Sequence, residues 1–295
     1  MATAHRTREI DAGSAFPWRV TAASVLTISV GMLPGFLPGA LAVQLADSIG
    51  IAVAGIGFVV GAFFGVSAVS SPLMGRVAER LGWASAMRAA ALAAGAALGL
   101  TPLVTRSFVT LGGVTVLGGV ALALAHPAVN LGLARCTADS RQGLVFGFKH
   151  AAIPASSALA GLALPLVAIP LGWKWVYALA ALVAVGAASL VPSSPRRFEV
   201  DRRHLDQGET GDGRSSLSLL VIVAVGAGLG IFGTDALAVF LVPFAVNVGF
   251  GEAPAGMLLA IGSGAGILTR LLAGWQIDRA ASTGLTTVAV FLALG

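Results

Sequence analysis

Long apolar runs follow one another along almost the whole chain, and they constrain its fold more than any other feature. Eight of them reach the length of about 20 residues that a helix needs to cross a bilayer. Only 11% of the residues are charged, against about 25% in soluble domains, so polar groups could not cover a soluble fold. The runs lie at 18–44, 52–74, 84–104, 108–133, 143–168, 172–192, 217–247 and 253–274.

These runs predict an all-α integral membrane protein with eight full transmembrane helices. In hydrocarbon the backbone polar groups must be satisfied inside the protein, and a helix satisfies its own. A ninth run begins near residue 283 and ends at Gly295. Its length of about 13 residues rises roughly 20 Å, less than the hydrocarbon core of about 30 Å. We therefore expect only a partial ninth helix.

The basic residues predict the orientation of these helices. With the N-terminus in the cytoplasm, 15 of the 18 lysines and arginines lie in cytoplasmic segments or at inner helix ends. Arg106 and Lys174 lie outside, and Lys149 falls within a span. This asymmetry follows the positive-inside rule, so the net charge of +5 indicates membrane orientation rather than nucleic-acid binding. Arginine outnumbers lysine 16 to 2, which is typical of GC-rich bacteria and suggests a bacterial inner membrane.

A motif recurs along the chain at a fixed distance. The sequences GRVAER (75–80) and GWQIDR (274–279) follow the second and eighth runs, and we expect both to form loops. Both fit Gly-x-x-x-acid-Arg, and their offset is 199 positions, since 274 minus 75 is 199. A shared offset predicts a parallel duplication of about six spans. Three further glycine pairs have the same offset: Gly57 and Gly256, Gly65 and Gly264, and Gly31 and Gly230.

With this repeat the chain resembles the major facilitator superfamily of secondary transporters. The cytoplasmic signature of that family is Gly-x-x-x-Asp-Arg-x-Gly followed by two basic residues. Glu79 replaces its aspartate here, and Trp83-Ala84 replace the basic pair. The segment 141–175 is similar to the fifth and sixth helices of the family. The matching positions are Gly75, Arg80 and Gly82 in the first half and Gly274, Asp278 and Arg279 in the second.

The resemblance implies two six-helix bundles that move a small solute by alternating access. The implied domains are a cytoplasmic tail at 1–17, a first bundle at 18–192, a linker at 193–216 and an incomplete second bundle at 217–295. A complete duplication needs about 400 residues, so roughly a hundred would be missing. The resemblance also implies that the motif copies form a conformational latch; ordinary solvated charges are the alternative. The latch would comprise Gly75, Glu79, Arg80, Gly82, Gly274, Asp278 and Arg279.

Few ionisable residues fall inside the predicted spans, and such residues usually face a cavity. Lys149 is a candidate site for an anionic substrate, with snorkelling to the headgroups as the alternative. His126 and Asn130, one turn apart, are candidates for hydrogen bonding to substrate; His126 could instead bond a carbonyl freed by a proline. Asp235 is a candidate proton carrier, or an ionised residue at the outer mouth. Arg270 is expected to reach the inner interface with a structural role.

These residues and motifs leave three candidate functions. The first is a transporter of a small solute, in which Lys149 favours an organic anion and Asp235 favours proton coupling. The second is a truncated, non-transporting remnant of such a transporter. The third, an intramembrane enzyme, is disfavoured because the sequence has no nucleophile elbow, His-Glu-x-x-His or Cys-x-x-Cys motif. The partners expected are the solute, the lipid bilayer and protons, without nucleic acid, metal or cofactor; the sequence does not determine the oligomeric state.

Overall fold

The apolar runs form long helices joined by short connections. The computed structural model describes residues 17–138, 141–193 and 217–279, and within these ranges every regular element is helical. In chain order the helices are α1 (Trp18–Ala40), α2 (Ala42–Ile49), α3 (Val53–Leu81), α4 (Trp83–Val104), α5 (Phe108–Cys136), α6 (Gln142–Leu171), α7 (Trp173–Leu190), α8 (Leu217–Asn247) and α9 (Glu252–Arg279).

The predicted all-α membrane fold is confirmed, with a small difference in the count of spans. Seven of the described helices are long and apolar enough to cross a membrane, namely α1, α3, α4, α5, α6, α7 and α9. The eighth predicted span corresponds to the 31-residue helix α8, in which 233–247 is counted as a shorter apolar helix. The partial ninth helix lies outside the described residues, as does most of the linker at 193–216.

Both copies of the repeated motif are helical, so the prediction that they form loops is wrong. Residues 75–81 form the last turns of α3, and 274–279 those of α9. A helix of 29 residues is about 43 Å long, which matches a bilayer of about 40–45 Å with its headgroups. The charged residues therefore lie at headgroup depth without breaking the helix. The turn is made at Gly82 alone, whose φ of 76° favours glycine.

Helix α1 is the central element of the described bundle. Of its most apolar window 83% is buried, whereas the other spans bury 50% or less. Pro34 and Pro38 lie inside this helix, which ends at Ala40 and resumes as α2 after Leu41. It contacts α4 to α8. The large apolar side chains on the outer surfaces of the other helices, such as Phe58, are suited to contact with lipid.

Helix α6 combines two kinds of helical turn. Its residues 142–163 are α-helical, Leu164–Ala168 form a π-helical turn, and Ile169–Leu171 complete it. The N–H of Ile169 donates to the carbonyl oxygen of Leu164, five residues earlier. Pro165 and Pro170 cannot donate backbone hydrogen bonds, which favours this irregular geometry. The wide turn lies where α6 packs against α9.

Candidate functional site

The first seven helices and the last two meet along α6 and α9, which pack more extensively than any other pair. Glycines permit this close approach at both ends of the contact. A methyl group added at Gly274 would lie 2.5 Å from the carbonyl oxygen of Gly143, and one added at Gly256 would lie 2.5 Å from that of Gly161. These contacts are backbone to backbone, so any side chain would separate the helices.

At the arginine-rich end of the bundle, Asp278 of α9 joins α6 through hydrogen bonds. Its Oδ1 accepts from the N–H of Gly143 at 2.7 Å, and its Oδ2 accepts from the N–H of Leu144 at 2.8 Å. These N–H groups belong to the first turn of α6, where they have no partner within the helix. A carboxylate there satisfies both donors and interacts favourably with the positive end of the helix dipole.

The opposite end of the bundle is also bridged. The side-chain amide of Gln44 in α2 donates to the carboxylate of Glu252 at the start of α9, with an N···O distance of 3.0 Å. Helix α1 approaches α8 closely, because a methyl group at Gly39 would lie 2.5 Å from the carbonyl oxygen of Val239. The two groups of helices are therefore in contact at both ends of the described bundle.

Three basic side chains lie close together between α5 and α6. The charge of Lys149 acts on both His126 and His150. Lys149 is only 5% exposed, so its side chain lies inside the protein and does not extend to the headgroups. His126 is half-buried, whereas His150 is exposed. Asn130 is exposed one turn beyond His126 and lines neither of the two described cavities.

A cavity of about 150 Å³ lies between α1, α6, α8 and α9. Its wall includes two opposite charges, Asp235 of α8 and Arg270 of α9, which attract each other electrostatically. The expectation that Arg270 reaches the inner interface is wrong. Arg270 is nine residues, or about 14 Å, from the end of α9, and its Nη1 bonds the carbonyl oxygen of Gly266 at 3.4 Å, one turn toward the helix start.

The first copy of the motif has different surroundings. Glu79 and Arg80 are exposed at the end of α3, and Gly75 and Gly82 are half-buried. In the second copy Arg279 stacks on Trp275, with Cζ 3.9 Å from the ring centroid. Among the described residues, no group of three or more His, Cys, Asp or Glu side chains is placed to hold a metal ion.

The sequence did not reveal three residues of this region. Arg270 was recognised as an intramembrane charge but not as part of a cavity. Ser157 also lines the cavity, yet a single serine in an apolar helix carries no distinctive sequence signal. Gly143 is a partner of Asp278 over 135 positions, a separation that only the fold brings together.

Comparison with known proteins gives a consistent family and fold. The family model described as "Major Facilitator Superfamily" matches residues 21–295. Among solved structures, 38 chains match. One is the crystal structure of a D-xylose-proton symporter, with a TM-score of 0.68 and 15% identity over 90% of this chain and 70% of that chain. A search of curated proteins found no match.

Proposed function

This chain belongs to the Major Facilitator Superfamily, and we propose that it carries a small organic anion across the bacterial inner membrane by alternating access. That it is a multi-pass membrane transporter follows from the family and the fold. The anionic substrate is supported chiefly by the basic cluster of Lys149, His126 and His150 within the spanning helices. A positive charge inside a membrane protein is costly and usually serves a ligand or a pathway.

Lys149 is proposed to bind the anion, with His126 and Asn130 adding hydrogen bonds. Because a charged hydrogen bond contributes about 1.5–3 kcal/mol, Lys149→Ala should reduce uptake about ten-fold or more. The matched control is Lys174→Ala, because Lys174 is the only other lysine and lies at the opposite end of the bundle beside Trp173. Both variants would be made at the chromosomal gene, and uptake of labelled organic anions would be measured in cells. Wild-type uptake by Lys149→Ala would contradict the assignment.

Asp235 is proposed to carry the proton. It is the acidic residue on the wall of the cavity, where an apolar environment favours the neutral form of a carboxyl group. The fold is shared with a protein whose title names protons. Asp235→Asn should abolish the stimulation of uptake by an inward proton gradient, whereas Asp47→Asn, at an exposed position, should keep it. Equal stimulation in both variants would exclude this role.

The motif copies are proposed to act as a latch at the cytoplasmic face. The bonds from α6 to Asp278 supply the geometry that supports this role, because they link the two groups of helices at one end. The orientation with a cytoplasmic N-terminus rests on the arginine-rich end. A reporter fused to the N-terminus that is active only in the periplasm would be inactive under this proposal. Purified protein that accumulates no organic anion in proteoliposomes would contradict the proposed function itself.

A further inference from the structure

The cavity between α1, α6, α8 and α9 has a composition suited to a ligand. Its wall is mostly apolar, and Phe36 of α1 closes one side. The polar groups on the wall include Asp235, Arg270, Ser157 and Ser263. Binding pockets commonly combine apolar walls with a few placed polar groups. Lys149 does not line this cavity, so its proposed role can be tested separately.

Arg270 places its guanidinium between α9 and α6. A methyl group added at Gly266 would lie 3.1 Å from Nη1 of Arg270 and 3.3 Å from Cβ of Pro154. Nη1 therefore lies near the level of Pro154 on α6. A guanidinium has five N–H donors, and one of them contacts the carbonyl oxygen of Gly266 at the long distance of 3.4 Å. Donors thus remain for a ligand in the cavity.

Ser157 supplies a second polar group about one turn away. It follows Pro154 by three residues, which is about 4.5 Å along the helix. Ser157 is 2% exposed, and its hydroxyl has no hydrogen-bond partner among the described residues. The neighbouring Ser156 differs, because its Oγ contacts the carbonyl oxygens of Ala152 at 2.7 Å and of Ser29 at 3.2 Å. A buried hydroxyl without a partner is costly unless a ligand or water completes it.

We propose that this cavity is the substrate site and that it binds a short-chain carboxylate. Arg270 donates to the carboxylate, and the Ser157 hydroxyl bonds the carboxylate or an adjacent polar substituent. A volume of about 150 Å³ corresponds to about five water molecules at roughly 30 Å³ each. That is the size of an acid of about three carbons. This inference rests on the proposed function and specifies its substrate class.

Asp235 has an opposing effect on such a ligand. It attracts Arg270 and so competes with the carboxylate for the same cation, and its own charge repels the ligand. Removing that charge should tighten binding. Asp235→Asn is therefore expected to lower the dissociation constant of a carboxylate, the reverse of the loss expected at Arg270.

The test uses detergent-purified protein and isothermal calorimetry, so binding is measured without transport. The probes are propionate, lactate and the uncharged propane-1,2-diol. Both acids should bind wild-type protein and the diol should not. Arg270→Gln should weaken the binding of both acids about ten-fold or more, and Arg270→Lys by less, because the bonds are charge-assisted. Arg76→Gln, which removes an exposed cation, is the control and should bind as wild type does.

Ser157→Ala and Ser156→Ala form a second matched pair. Ser157→Ala should weaken the binding of lactate, and Ser156→Ala should not, because the Ser156 hydroxyl already bonds the backbone. If Arg270→Gln does not fold, Arg270→Lys and Asp235→Asn still test the site by changing affinity in opposite directions.

Each outcome separates the inference from the function it rests on. Unchanged acid binding in the folded Arg270 variants, or no acid binding by wild-type protein that transports another anion, would overturn the inference and leave the transporter proposal standing. Acid binding that depends on Arg270, in a protein that transports nothing in proteoliposomes, would support the site and contradict the proposed function.

Discussion

The two copies of the Gly-x-x-x-acid-Arg motif have the same pattern but different surroundings. At Gly274 an added methyl group would meet the backbone of α6, and Asp278 accepts two hydrogen bonds from that helix. At Gly75 nothing lies within 4 Å of an added methyl group among the described residues, and Glu79 is exposed. The motif therefore specifies a surface able to pack closely, and the partner helix determines whether it does so.

The largest contrast is expected for valine at the two motif glycines. Gly274→Val forces α9 away from Gly143, which should cost about 3 kcal/mol and lower Tm by about 6–12 °C. Gly75→Val has the same change in helix propensity but meets open space, so its Tm should change by less than about 3 °C. Thermal unfolding of the purified variants measures both. Equal losses would show that propensity, rather than packing, explains the effect.

The acidic residues of the motif give the next contrast. Asp278→Asn keeps the size of the side chain but removes the charge and one of the two acceptors, which should cost about 2 kcal/mol. Glu79→Gln should leave stability unchanged within about 0.5 kcal/mol, because exposed polar groups contribute little. Denaturant unfolding of both proteins gives the comparison. A larger loss for Glu79→Gln would reverse the roles assigned to the two copies.

A second glycine pair with the offset of 199 sharpens the comparison at the other end of the bundle. Gly256→Ala places its methyl group against the carbonyl oxygen of Gly161, and backbone cannot easily move aside. Gly57→Ala meets the ring of Phe240 at 2.9 Å, and this ring is 45% exposed and can rotate away. We expect a loss of about 1 kcal/mol for the first and about zero for the second. Their free energies of unfolding check this.

The smallest effect is expected at the motif arginines. Arg279 stacks on the ring of Trp275, and an exposed cation–π contact is weak, so Trp275→Ala should lower Tm by only about 1–2 °C. Arg80→Gln should not change Tm measurably. Differential scanning calorimetry can resolve such a difference. A drop at Arg80 as large as that at Trp275 would indicate that the first copy also has a stabilising partner.

The sequence predicted the helices well because apolar length is a direct measure of what a bilayer accepts. Most predicted bounds differ from the observed ones by a few residues; the exceptions lie where charged turns extend a helix, as in α3, which was expected to end at 74 and continues to Leu81. Composition cannot detect such an extension, because a helix remains favourable among headgroups.

The site was less predictable, because its contacts join residues far apart in the chain. Asp278 was identified from its motif, but its bonds to the start of α6 were not foreseen. Lys149 and Asp235 were identified as intramembrane charges, and the structure adds which groups lie beside each of them. Arg270 was misplaced because depth along a helix does not give the direction of a long side chain. Such directions depend on packing.

The π-helical turn at Leu164–Ala168 affects how this chain should be aligned with its homologues. A π-helical turn contains about one residue more than an α-helical one, so each later position is rotated by about 100°. A homologue with an uninterrupted α-helix here would therefore match this chain only if a one-residue gap is placed within 164–168. Without that gap, a column containing the buried Leu164 could be followed by columns that confuse lipid-facing positions such as Leu166 with positions on the helix contact.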